Sequence, residues 1–557
     1  MSASNKKKLR KEQAAEQLTA RQLQERNDAK QLKIYTISFL TVMALIICTV
    51  GVILGVRAVR NGGWAQKRTI AATIGGESFN TVEMNYYYID AVNGFYNQWN
   101  EYYGENTNNY LKSLFGLDPA VPLNQQHTDE KKTQTWAQHF IEEAVSQAQH
   151  DVAMYNLAVK EGFKLSDAEQ KSMEATIKNL DTYASAYGFS NADKYLSAIY
   201  GPGAQLKTYK AYYERSTIAA AYYAAHEDTF VYTDEQREAY AKDKASDFNS
   251  YDYTSCYLSY TSFRGEGTKD EAGKVTYTKE QDEAARKKAE EAANELAKAK
   301  DTAELKELAK KAPGLDTGKT LNVEEKKDTL HTSVSTEKLR DWLASKDRKA
   351  GDIAVIPNES TTTDADGKET KTINGYYVVI FNSVTDNATA MADIGYIFVP
   401  YKDGVEDETT GDMTYDQEGK DAAKADAESF LKTWQSGEKT KESMEKLAND
   451  LIKEKKASKG GLVENINKAS NFADDKIIDW ALSTERAAGN TTILEADDGF
   501  YILYYAGKSK LNYRHYMIDT EMRAEDYQKW YEGALAAVPT KVGNTSKMDL
   551  DLVLSSN

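Results

Sequence analysis

One apolar run stands apart from everything that follows it in the chain. Residues 34–56 (IYTISFLTVMALIICTVGVILGV) carry no charge. At about 1.5 Å per residue such a helix reaches across a hydrocarbon core of roughly 30 Å, so the run predicts a single transmembrane helix. A cleaved signal peptide would have a shorter head and a shorter apolar stretch. A lipoprotein signal would place a small residue where Ile47 precedes Cys48, and a buried core helix fits poorly behind so basic a head. Downstream the pattern becomes amphipathic. Met84, Tyr88, Val92, Phe95 and Trp99 recur at helical spacing after Asn80 and Glu83, a capping-box pair. Ser166 with Glu169, Ser190 with Asp193 and Thr233 with Gln236 announce further helices, so residues 57–250 read as an all-helical module behind a short β-type run at 69–74.

From Tyr251 onward strand and helix alternate, and the order repeats. YDYTSCYLSYTSF is a strand, a Gly- and charge-rich loop follows, then two helices, a short helix at LRDWLA and the strand YYVVIFNSV. DIGYIFVPY opens a second round, which closes on IIDWAL and GFYILYYAG. Asp341-Trp342 and Asp479-Trp480 mark the period of 138 residues, and Ala350-Gly351 and Ala488-Gly489 precede the closing strands of each copy. DADG at 364–367 begins like a calcium loop, but Gly375 stands where the closing Glu belongs, so it reads as a hairpin tip. The stretch 509–557 predicts a strand, a helix and a polar tail.

Charge divides the chain at the apolar run. Residues 1–33 hold nine basic and four acidic groups, leaving 61 basic and 82 acidic groups, net −21, for the rest. The positive end is expected in the cytoplasm, with the bulk of the chain outside it, as a single-pass protein of the cell membrane. So acidic a bulk excludes nucleic acid as a partner. Two cysteines, Cys48 and Cys256, make no disulfide framework and no zinc site. His127, His139, His150, His226, His331 and His515 are scattered without metal-ligand spacing, and neither a nucleophile elbow nor a phosphate-binding loop is present. No cofactor and no metal is expected. The 37 tyrosines are read mainly as helix packing.

Several junctions together resemble a known family. GGESF leading into a helix, LAVKEGFKLSDAEQ, YLSAIYGPGAQLKTYKAYYERSTIAAAYY and YTDEQREAYAKDKASDF, over 69–250, resemble the N-terminal chaperone domain of SurA/PrsA-type extracytoplasmic foldases. The two repeats, 252–386 and 390–508, resemble parvulin-type peptidyl-prolyl isomerase domains: strand, two helices, Gly-Gly loop (Gly460-Gly461-Leu462 in the second copy), short helix, Gly turn and closing hairpin. The resemblance implies an α+β multidomain chain divided as 1–33 basic tail, 34–56 anchor, 57–250 helical chaperone domain, 251–387 and 388–508 parvulin-like domains, and 509–557 return segment and tail. That last segment is expected to pack back on the helical module.

Parvulins are expected to carry one His in the first strand and one in the last. Here Tyr257 and Tyr396 stand at the first-strand positions, and Tyr377 and Tyr501 in the last strands. A phenol with a pKa near 10 does not reproduce imidazole chemistry at neutral pH. Cys256 is expected on the opposite strand face from Tyr257, and His515, in RHYMI, mimics the first-strand signature with no parvulin-like sequence behind it. The expectation is a membrane-anchored folding factor that binds unfolded or nascent secreted polypeptides, with isomerase activity weak or lost. An active isomerase with an altered site and an envelope scaffold or adhesin are the alternatives, and homo-oligomerisation stays open.

Overall fold

The computed structural model describes residues 63–554, except 270–272, 364–366, 407–410 and 473. The chain forms two compact bodies, one from 63–231 with 523–554 and the other from 232–522. Among the described residues no helix is long and apolar enough to cross a membrane. This corrects the expected fold class, which included a transmembrane helix; the run at 34–56 lies outside the described residues, and the helices that are described are all amphipathic or polar.

The first body departs from the all-helical expectation. A short helix α1 (Trp64–Arg68) precedes β1 (Ile70–Ile74) and β2 (Glu77–Asn80), which turn tightly on Gly75 and Gly76, both at positive φ. The third strand, Thr540–Val542, comes from the far end of the chain and pairs antiparallel with β1. Asn80 then caps α2 (Thr81–Tyr103), accepting from Val82 and Glu83 while Glu83 caps it in return. α3 (Thr107–Phe115), α4 (Trp136–Glu161), α5 (Asp167–Ala186), α6 (Ala192–Tyr200) and α7 (Leu206–His226) follow. The box at Ser166 and Glu169 starts α5 as expected, while Asn191 rather than Ser190 caps α6. Their apolar faces share one core, in which Tyr86, Tyr88, Tyr195 and Tyr209 are fully buried. Residues 523–536, the end of a C-terminal helix (Tyr513–Ala536), belong here too: Trp530 stacks on His226 with ring centroids 3.8 Å apart, and Tyr527 donates to the Tyr223 carbonyl at 2.6 Å. The tail beyond continues the body, with Leu554 and Met548 buried.

The second body starts at 232, not 251, because α8 (Asp234–Ala241) packs Ala241 and Phe248 against Ile518 of the C-terminal helix. The first repeat is β3 (Ser250–Ser259), a small hairpin β4–β5 (Thr268–Lys269, Val275–Thr276), α9 (Lys279–Leu296), α10 (Thr302–Ala309), β6 (Val323–Leu330), α11 (Glu337–Ala344), β7 (Ile353–Thr363) and β8 (Glu369–Thr385). The second is β9 (Ala390–Pro400), β10–β11 (Val405–Glu406, Met413–Thr414), α12 (Gln417–Gln435), α13 (Lys441–Lys453), β12 (Lys459–Ile466), α14 (Asp475–Leu482), β13 (Thr491–Glu495) and β14 (Gly499–Asn512). Their antiparallel sheets have the same order, β6-β3-β8-β7 and β12-β9-β14-β13. In each, the two helices that follow the opening strand cover one face and the helix before the closing hairpin the other.

Two local expectations change, and a third is left outside the described residues. Gly460-Gly461-Leu462 lies in the edge strand β12 rather than in a loop. The charged loop after β3 carries the β4–β5 hairpin, repeated after β9. Asp364 to Asp366, at the expected hairpin tip, lie outside the described residues.

Candidate functional site

In the first repeat β3 sits centrally, with Cys256 and Leu258 turned to α9 and α10 and Tyr257 to the other face. Alternation along the strand decides this, so Cys256 is fully buried under α9 and α10 and burial pushes its thiol up to about 12. It is no nucleophile. Tyr257 faces Tyr377 across the β3–β8 ladder, with ring centroids 4.6 Å apart. Its phenol donates to the Asn374 carbonyl and accepts from the Asn358 amide, both at 3.1 Å. A Cβ on Gly375 would come within 2.9 Å of the Tyr257 ring and 2.3 Å of the Leu258 carbonyl, so only glycine fits beneath it. Tyr377 packs among Leu343, Val379 and Phe381.

The second repeat builds a different floor. Tyr501 faces Phe398, not Tyr396, at 4.6 Å between centroids. Gly499 lies beneath Phe398 as Gly375 lies beneath Tyr257. The structural counterpart of Tyr257 is therefore Phe398, two residues beyond Tyr396, and Tyr396 occupies the place of Ser255. Tyr396 and Tyr501 approach at 6.2 Å, and Phe472 meets Tyr396 edge-on at 5.1 Å. Burial raises the phenols of Tyr257, Tyr396 and Tyr501 above the ordinary tyrosine value, further from neutral-pH proton transfer.

The two floors differ in what borders them. On β12, Gly461 pairs with Tyr396, and nothing lies within 4 Å of where its side chain would be. On β6 the residue facing Ser255 is Glu324, held by Lys326. The second floor is thus aromatic and open at Gly461, with the Lys459 ammonium 5.7 Å over the Phe398 ring, and the first is bordered by an ion pair.

No imidazole reaches either floor. His331 lies at the opening end of β3, where its Nδ1 is 3.3 Å from the Tyr251 phenol; six residues of strand, roughly 20 Å, separate that point from Tyr257. His515 is in the C-terminal helix, 3.4 Å from Asp234 and from Glu238. His150 is half-buried in the first body against Tyr531, and desolvation lowers its pKa to about 4. No group of His, Cys, Asp or Glu among the described residues could hold a metal ion. Sequence reasoning missed Phe398, Phe472 and Asn358. The glycine two residues before each last-strand tyrosine (Gly375, Gly499) was the signal that aligns the repeats correctly. No known protein-family profile matches the chain, and no relative is found among curated proteins.

Proposed function

We propose that this protein holds unfolded or nascent secreted polypeptides outside the cytoplasm, as a foldase of the SurA/PrsA kind whose prolyl isomerisation is weak or lost. The observation that supports this is the floor of the second repeat. Buried Phe398 and Tyr501 and half-buried Tyr396 and Phe472 form an aromatic cluster open at Gly461; among the described residues no imidazole lies on it, and the one cation beside it is the Lys459 ammonium, 5.7 Å from the Phe398 ring centre. Such a surface suits apolar side chains of any sequence. Lowering the roughly 18–20 kcal/mol barrier of peptide-bond rotation would need polar groups placed along the reacting amide. The tyrosines supply only neutral hydroxyls.

The test runs two assays on one sample of the full chain: a refolding reaction limited by proline isomerisation, and suppression of aggregation of a denatured protein. Suppression without acceleration is expected, with Phe472→Ser and Tyr396→Ser each weakening it several-fold. Strong acceleration, or silence in both assays, would overturn the proposal.

A further inference from the structure

The two repeats differ most in their closing hairpins. In the second, pairing of β13 with β14 runs to Glu495 and Phe500, and the Ala496 amide donates to the Gly499 carbonyl at 2.9 Å to close the turn. In the first, β7 and β8 run on beyond the sheet. Pairing of β3 with β8 stops at Ser259 and Gly375, yet β7 and β8 stay paired for five more positions, from Glu359 with Ile373 to Thr363 with Glu369. That is an arm of roughly 17 Å. Its outer strand, Ser360 to Thr363, is exposed on both faces, and β7 is the last strand of its sheet.

An open strand edge is a template for another strand, and the opposite edge of this sheet is blocked. The opposite edge strand β6 is charged on both faces, with Glu324, Glu325, Lys326, Lys327 and Asp328 in succession. On β7 itself Pro357, beside the sheet, offers no N–H. Beyond Glu359, which pairs with Lys338 at 2.7 Å, the outer strand is serine and threonine only, a composition that favours strands and carries no block.

We propose that the outer edge of β7, residues 360–363, captures an extended polypeptide by adding it as a further strand. Backbone groups would supply the affinity, so recognition is tolerant of sequence. Charge selects the occupant. The chain carries −16 overall, and residues 357–371 hold four acids against two lysines, so a second copy of this chain is repelled and a neutral or basic strand is favoured. The inference rests on the holding function above only for where such strands come from.

The probe is a fluorescent twelve-residue peptide of Thr-Val-Lys repeats, titrated against the full chain, with the same peptide N-methylated at alternate residues as control. Replacing 359–373 by the Ala496–Asp498 turn should weaken binding at least tenfold, and N-methylation should do the same. Adjacent residues turn their N–H groups to opposite edges, so one of Thr361→Pro and Thr362→Pro should abolish capture while an unchanged unfolding midpoint shows the arm intact. No binding by the wild-type chain, or equal binding by the shortened arm or the N-methylated peptide, overturns the inference. Aggregation suppression is measured alongside: capture lost with suppression intact supports the arm and leaves holding to the aromatic floor. Suppression absent from a wild-type chain that captures the peptide overturns the holding reading and not the arm.

Discussion

Tyr212 donates its phenolic proton to a carboxylate oxygen of Asp90 across 2.7 Å, joining α7 to α2. Tyr200, ending α6, donates to the other oxygen at 3.0 Å. Two neutral donors only partly offset the loss of water around this carboxylate, and burial raises its pKa to about 6. Asp151 on α4, almost fully buried beside Gln147, is raised by burial to about 6 as well.

The sign of the pH effect follows from linkage. A carboxyl that binds its proton more tightly when folded contributes its full stability below the unfolded value of 3.8 and loses it as pH rises through 6. At pH 7 the charged form of Asp90 costs at most roughly 3 kcal/mol relative to the acid form. His150 works oppositely, because its lowered pKa removes stability as pH falls from 6.5 toward 4. Comparing Asp90→Asn with the wild type cancels the His150 contribution. The variant should gain stability relative to wild type as pH rises from 4 to 6.5, read as a widening difference in urea midpoints.

Gly375 and Gly499 hold equivalent places under Tyr257 and Phe398. Alanine at either would force its Cβ to within 2.4 Å of a strand carbonyl oxygen. Each substitution should destabilise the second body by about 1–3 kcal/mol in chemical denaturation, the usual cost of overpacking. Equal effects at the two sites would confirm that Phe398 is the counterpart of Tyr257.

Arg237 and Asp519 form a buried bidentate pair, Nε to Oδ1 at 2.6 Å and Nη2 to Oδ2 at 3.1 Å, each side chain under a tenth exposed. Removing Arg237 leaves the Asp519 charge buried, so Arg237→Ala should cost about 3–5 kcal/mol, and Asp519→Ala less, because Arg237 Nη1 still donates to Asp234 at 2.7 Å. The double variant should cost well under their sum, which a double-mutant cycle on unfolding free energies reads directly.

The strand Thr540–Val542 covers one edge of β1, and the Leu550 and Leu552 carbonyls accept from Asn124 and Leu123. A chain ending at 537 should therefore lose amide-exchange protection throughout β1 and β2 and unfold its first body at lower urea, while the second body keeps its midpoint.

Much of the local structure was legible because its causes are local. The Gly75-Gly76 turn, the boxes at Asn80 and Ser166 and the 138-residue repeat all rest on residues within a turn or a period of one another, and each has its expected element. Strand alternation likewise placed Cys256 away from Tyr257. What no window of sequence holds is pairing at a distance. The third strand beside β1 lies more than 460 residues away, which is why the first module read as all-helical. Register across β9 and β14 chose Phe398 over Tyr396 as the partner of Tyr501, because positions two residues apart on one strand face look identical in a hydrophobic pattern. The sequence by itself determined which residue types could occupy the two floors, and so that no histidine would. Only tertiary structure decided what borders each floor, since that depends on whether the neighbouring edge strand brings Gly461 and Lys459 or Glu324 alongside.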